Sequence, residues 1–344
     1  MSPRANGTPT DHTGGVDETD DAIPAILLEF TDPTALGMTL DQPTATDLMV
    51  ACAALLTRVA VEPGRCRLII TGDFVESARR RMEPGRHRDN YDLRRSTGTV
   101  GGKTMPMPDG TVDVLLPASL FAFGMTPEQD AAATQDALYT VLHEGQHVAM
   151  TQAGETDPDL GHLPHGRLNL ENAADEVIQE YRAERAIDRS VVPGLPPWDL
   201  VAVLQHWHET LVRIAFVEYQ EHRDVERLWY GVVQETFTTW KLLAYIAAWA
   251  PEDTPPKAAV SKDLRRSPVW RLMVKPHWRR FVEILRQAPP GDVRTAPAAL
   301  ESVRCELADE FAAWLLTLGF EGIDTADGFA FYIRGATLID DFSG

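Results

Sequence analysis

The stretch His143-Glu144-Gly145-Gln146-His147 decides more about this chain than any other. On a helix, side chains four residues apart point the same way, so both imidazoles can reach one cation. Glu144 lies about 100° around the helix from His143. It can therefore stand beside that cation and take a proton from a bound water. The spacing predicts a metal site on one face of a helix.

The residues before this stretch predict where that helix begins. Thr126 followed by Pro127 is a good helix start, because the hydroxyl can cap the first turn and proline fits the first helical position. Two acids in the first turn suit the helix dipole. An apolar stripe at helical spacing follows, made of Leu138, Val141, Leu142, Gly145 and Val148. We expect a largely buried helix that ends near Gly154.

A second helix, from Leu168 to about Arg189, carries an acid every four residues, at Glu176, Glu180, Glu184 and Asp188. A catalytic zinc site usually has three protein ligands and an open fourth position, so a third ligand is needed. Glu180 has apolar neighbours at helical spacing, and a buried carboxylate needs a partner. A cation from another helix is the natural partner.

The pattern His143-Glu144-x-x-His147, followed by Glu180-Tyr181-x-Ala183-Glu184, resembles the gluzincin group of zincin metallopeptidases. The resemblance covers about residues 110 to 190. It implies a zinc ion held by His143, His147 and Glu180, Glu144 as general base, and Glu184 as the acid that supports a ligand histidine. Glu176 is the rival third ligand.

Further side chains are candidates for stabilising the oxyanion of a hydrolytic reaction. His162 and His165 lie in the loop between the two proposed metal helices, and either one could donate a hydrogen bond. Tyr181 is adjacent to Glu180, but neighbours on a helix point about 100° apart. The simpler interpretations are exposed loop histidines and a core tyrosine.

Composition limits the classes of function. The 344 residues carry a net charge of −19, which argues against general nucleic-acid affinity. A basic and aromatic segment from Lys262 to Arg280 is better interpreted as an internal docking face. Three separated cysteines suit a reducing cytoplasm. No signal peptide and no membrane-length apolar run are visible, so we predict a cytoplasmic protein.

The chain as a whole predicts an α+β, predominantly helical fold. Residues 1–22 are polar and predicted to be disordered. Residues 23–190 are predicted to form an α+β zincin-like catalytic region, in which a small sheet packs on the active-site helix. Its strands are expected at residues 25–30, 67–71 and 111–116, and a helix at 46–61. The zincin resemblance implies that an edge strand of this sheet can hold an extended peptide.

The arginine-rich segment 79–95 is either a long loop or an exposed helix followed by a loop. Residues 191–344 are predicted to be almost wholly helical and can form one compact unit with the catalytic region. Helices are expected at about 198–222, 224–250, 269–287 and 297–318.

These observations predict a zinc-dependent hydrolase, most simply a metallopeptidase with a peptide or protein substrate. Two alternatives stay open. One is a zincin-fold metalloenzyme that acts on a small metabolite, for which a closed pocket is expected. The other is a catalytically silent binding or regulatory protein that keeps a metal for stability, for which a fourth side-chain ligand is expected.

Overall fold

The structure is a computed structural model that describes residues 23–30, 43–89, 91–92, 94–95, 98–99, 101–123, 126–194 and 199–334. The predicted disordered tail, residues 1–22, lies outside the described residues.

The described strands form one four-stranded sheet and two short antiparallel pairs. They are β1 Ala25–Glu29, β2 Cys66–Thr71, β3 Arg94–Arg95, β4 Gly98–Thr99, β5 Lys103–Pro106, β6 Val112–Pro117, β7 Phe320–Thr325 and β8 Gly328–Ile333. The sheet has the order β1-β2-β6-β5, in which β1, β2 and β6 run parallel and β5 is antiparallel to β6. The two short pairs are β3 with β4 and β7 with β8.

Helices make up most of the described chain, so the α+β, predominantly helical prediction is correct. Two π-helical segments, Ile214–Glu218 and Trp270–Val274, interrupt the later helices. The helices are α1 Pro43–Val59, α2 Phe74–Arg81, α3 Arg86–Asp89, α4 Pro127–Gln152, α5 His165–Arg185, α6 Leu200–Arg213, α7 Tyr219–His222, α8 Val225–Trp249, α9 Lys262–Arg266, α10 Lys275–Leu285 and α11 Pro297–Thr317.

Helix α4 begins where its sequence predicts. The Thr126 hydroxyl accepts a hydrogen bond from the backbone N–H of Gln129 at 3.3 Å, and Pro127 occupies the first turn. After the helix ends at Gln152, Gly154 adopts a positive φ of 70°, as expected for the residue that reverses a helix end. The helix thus has the start and the end that its sequence predicts.

The two largest hydrophobic clusters among the described residues divide between helices α4 and α5. Ala137, Val141 and Val148 of α4 pack with α1 and the sheet. Helix α5 instead joins a large helical core with α8 and α11. The domain boundary predicted near residue 190 therefore separates α5 from α8 and α11, although these three helices pack on one another.

Gly145 faces α1 in the sheet-side core. A Cβ atom at this position would lie 3.4 Å from Val59 Cγ1 and 3.5 Å from Leu56 Cδ1, which is ordinary van der Waals contact. The packing therefore has room for an alanine here and does not explain the glycine, which costs about 1 kcal/mol relative to alanine inside a helix.

The structure differs from the sequence interpretation in three places. The predicted strand at 111–116 is present as β6, and the strand beside it at one edge of the sheet, β5, was not predicted. The region after Arg189 is not wholly helical, because β7 and β8 form a hairpin. The segment 79–95 contains the end of α2, the short helix α3 and strand β3.

The basic segment near residue 270 has buried aromatic rings, since Trp270 and Trp278 are 3% and 4% exposed. Lys275 and Arg279 in the same segment are exposed. The aromatic rings of this segment therefore face the interior, as predicted, whereas Lys275 and Arg279 face solvent. Among the described helices, none combines the length and the apolar character that crossing a membrane requires.

A charged network joins α5 to α11. Arg304 lies 3.1 Å from Glu171 and 3.8 Å from Asp175, and Gln179 donates a 2.5 Å hydrogen bond to Asp175. Burial raises the pKa of Asp175 from an ordinary value of 3.8 to about 6, against the opposing effects of Gln179 and Arg304. The folded protein therefore disfavours the ionised form of this carboxyl group.

We expect Asp175→Asn to stabilise the protein above pH 7 and to have little effect near pH 4. A carboxyl group whose pKa is raised by folding costs stability as pH rises from its ordinary pKa through its folded pKa. The shift corresponds to about 1 to 3 kcal/mol at pH 8. Denaturant midpoints at the two pH values measure the difference. An equal loss of stability at both would show that the Arg304 contact dominates.

Candidate metal centre

Helices α4 and α5 bring three side chains together at one point. The Nε2 atoms of His143 and His147 are 3.2 Å apart. Glu180 Oε2 lies 3.1 Å from the first nitrogen and 3.8 Å from the second. Within the described part of the chain, this triad is the one group of three histidine, cysteine or acidic side chains whose ligand atoms can surround an ion.

The separations within the triad fit a small divalent ion. Ligand atoms about 2.0–2.2 Å from a tetrahedral zinc are roughly 3.3–3.5 Å from one another. The three observed separations, 3.1, 3.2 and 3.8 Å, bracket that value. Two imidazoles and one carboxylate are also the donor types that zinc binds. The residues present therefore fit the metal that the sequence predicts.

Glu184 orients His143 from the other side of the ring. His143 Nδ1 lies 2.7 Å from Glu184 Oε1. The other ring nitrogen of His143, Nε2, therefore faces His147 and Glu180. Glu184 is fully buried, and it also accepts hydrogen bonds from Tyr139 Oη at 2.6 Å and from Trp249 Nε1 at 2.5 Å. An acid that holds the second nitrogen of a ligand histidine is a regular part of zinc sites. The predicted position of Glu184 agrees with this geometry.

Charge also holds the triad together. Burial alone would lower the pKa of His143, but its hydrogen bonds to Glu180 and Glu184 outweigh burial and raise the pKa well above 6.5. Burial alone would raise the pKa of Glu180, but Lys241, His143 and His147 lower it well below 4.5. Opposite charges on these side chains therefore stabilise each other in the buried cluster.

Glu144 follows His143 on α4, and strand β5 holds its side chain. Its side chain is buried, and Glu144 Oε2 accepts a hydrogen bond from Thr104 Oγ1 of β5 at 2.8 Å. The same hydroxyl lies 3.0 Å from the Glu144 backbone carbonyl oxygen. A Cβ atom at Gly102 would come within 2.9 Å of Glu144 Cγ, so glycine permits this close approach. The proposed base therefore lies against β5, an edge strand of the described sheet.

Helix α8 contributes side chains that sequence reasoning missed. Lys241 Nζ pairs with Glu180 Oε1, and the Tyr245 hydroxyl donates a hydrogen bond to Glu180 Oε2. Trp249, four residues further, donates to Glu184. Lys241 is the one charged residue between Thr236 and Trp249. An isolated lysine in such an apolar stretch is the sequence signal that could have pointed to this part of the site.

The remaining sequence candidates lie elsewhere. Glu176 is exposed, so the structure brings Glu180 and not Glu176 into the triad. His162 is exposed in the turn before α5, and the exposed His165 packs edge-on against Phe329. Tyr181 is buried, and its hydroxyl accepts a long 3.5 Å contact from Arg185. The placement of His162, His165 and Tyr181 therefore agrees with the simpler interpretations, which are exposed histidines and a core tyrosine.

Comparison of the chain with models of protein families, with curated proteins and with solved structures found no match. The assignment of function therefore depends on the chemistry of the site itself.

Proposed function

We propose that this protein is a zinc-dependent hydrolase that cleaves amide bonds of peptides, similar to gluzincin metallopeptidases. The observation that carries the proposal is the triad of His143, His147 and Glu180, whose ligand atoms are spaced as a tetrahedral zinc requires. Among the described residues, no fourth histidine, cysteine or acid joins this group. That favours a catalytic metal site over a closed structural one.

The chemistry divides between the ion and the protein. A zinc ion bound by the triad would lower the pKa of a coordinated water to roughly 7 and polarise a carbonyl group. Glu144 accepts the proton of the attacking water and delivers it to the leaving nitrogen. The Thr104 hydroxyl holds the Glu144 carboxylate in place for both transfers. Glu184 keeps His143 in the tautomer whose Nε2 is free.

Tyr245 replaces His162, His165 and Tyr181 as the proposed oxyanion donor. Its hydroxyl lies at the oxygen of Glu180 that faces the histidines. Burial and the neighbouring carboxylates of Glu180 and Glu184 raise the pKa of Tyr245 well above 10, so the phenol keeps its proton at neutral pH. Because a phenol has one proton, Tyr245 can donate it to a developing negative charge when it releases Glu180 Oε2.

The surroundings of Glu144 favour an extended peptide over a small metabolite. Strand β5 is an edge strand, and an extended chain can add to such an edge through main-chain hydrogen bonds. The described part of the chain also holds a cavity of about 330 Å³, lined by residues such as Arg58, Gln146 and Gly291. Since the triad does not line that cavity, it offers no support for the small-metabolite alternative.

We expect the purified protein to bind one equivalent of zinc and to lose hydrolysis of a peptide library when a chelator removes the metal. Zinc at about 100 times its dissociation constant should add about 2.7 kcal/mol to the stability of the metal-free protein. Metal analysis, thermal unfolding with and without zinc, and cleavage assays measure these effects.

The matched variants for this experiment are His143→Ala and His206→Ala. His206 is an exposed histidine on α6, so its loss should change neither metal content nor cleavage. A His143→Ala protein that still binds one zinc and cleaves peptides at the normal rate would exclude the proposed site. Zinc binding without cleavage of any peptide would instead favour the metabolite or silent alternatives.

A further inference from the structure

Lys241 is a cation built into the proposed metal centre. It lies on α8, and its ammonium group pairs with Glu180 Oε1. Only 27% of the side chain is exposed. The ammonium also lies 5.4 Å from the centre of the Phe237 ring, one helical turn earlier, which is a favourable cation–π distance. The packing of α8 on α5 therefore fixes this charge next to a proposed zinc ligand.

The two oxygens of Glu180 have different partners. Oε2 faces the nitrogens of both histidines, whereas Oε1 faces Lys241. The ammonium therefore does not occupy the oxygen that the triad uses. A metal ion and Lys241 can share one carboxylate without competing for the same atom.

Charge explains why a lysine is needed at this position. Glu180 and Glu184 are buried, and Glu144 and Glu176 also act electrostatically on Lys241. A buried carboxylate without a partner is strongly destabilising. Lys241 supplies a positive charge that contacts Glu180 through the oxygen that the triad does not use.

We propose that Lys241 is the resident counter-cation of this site, which holds Glu180 in the metal-free protein and weakens the affinity for zinc. The inference rests on the proposed metal centre. Two positive charges on one carboxylate repel each other, so the ammonium makes zinc binding less favourable. The same ammonium keeps the ligand helix packed when zinc is absent. The protein can then release and rebind its metal without losing the fold around the triad.

The test compares Lys241→Met with the wild type in metal-free form. We expect Lys241→Met to unfold at a lower temperature without metal and to bind zinc at least about 10-fold more tightly. Competition with a chromophoric chelator measures the affinity, and thermal unfolding measures the stability. Lys241→Arg keeps the charge and should stay close to the wild type. Lys275→Met, at an exposed lysine on α10, should change neither quantity.

A double variant keeps the test decisive if Lys241→Met does not fold. In Glu180→Gln/Lys241→Met, the carboxylate and its cation are both absent, so metal-free stability should recover relative to either single variant. Unchanged zinc affinity in Lys241→Met, with normal binding by the wild type, would overturn the role of Lys241 alone. Failure of the wild type to bind zinc would overturn the metal centre itself, and the role of Lys241 with it.

Discussion

Replacing Glu144 with glutamine is expected to lower peptide hydrolysis by about 10²- to 10⁴-fold while the protein keeps its zinc. Glutamine preserves the size of the side chain and an oxygen that can accept the Thr104 hydroxyl, which lies 2.8 Å from the carboxylate. An amide cannot take the proton of the attacking water. The loss should therefore fall on kcat, with KM nearly unchanged, because proton transfer contributes only in the transition state.

The control for this variant is Glu128→Gln. Glu128 is an exposed acid in the first turn of the same helix, and its replacement should leave both metal content and hydrolysis unchanged. Metal analysis, steady-state kinetics and thermal unfolding should be measured on both proteins. Normal turnover by Glu144→Gln would remove this residue from the mechanism, even with the metal in place.

The second large effect is expected from Glu180→Gln, which should weaken zinc binding by more than about 100-fold. Loss of an acid that only supports a ligand histidine costs about 10- to 100-fold, so loss of a ligand carboxylate should exceed that range. Glu184→Gln should therefore fall between Glu180→Gln and the wild type. Chelator competition at fixed pH gives the three dissociation constants.

Glu176→Gln is the matched control, since it removes an acid one helical turn from Glu180. Glu176 is exposed and outside the triad, so its loss should leave zinc binding nearly unchanged. Tight zinc binding by Glu180→Gln together with weak binding by Glu176→Gln would reverse the ligand assignment.

The sequence was most informative where local rules determine the structure. The Thr126-Pro127 start and the four-residue spacing of His143 and His147 depend on helix geometry alone, and α4 agrees with both. The choice of Glu180 over Glu176 followed from apolar neighbours, which mark the buried face of a helix. In the structure Glu180 is buried and Glu176 is exposed.

Sequence reasoning failed where the structure depends on contacts between distant segments. Strand β5 is four residues long and contains a proline, and only its pairing with β6 makes it a strand. Lys241 and Tyr245 are about 60 residues beyond Glu180 and reach it only because α8 packs on α5. The sequence argument required a cation from another helix but carried no information about which helix packs there.

The placement of the partners of Glu180 and Glu184 on α8 has a consequence for synthesis of the chain. A nascent polypeptide that has emerged from the ribosome as far as residue 194 already contains both histidines and every acid of the site. Lys241, Tyr245 and Trp249 are still to be translated, so two buried carboxylates lack these contacts. The contacts that hold Glu180 and Glu184 in the site therefore form only after α8 has been synthesised.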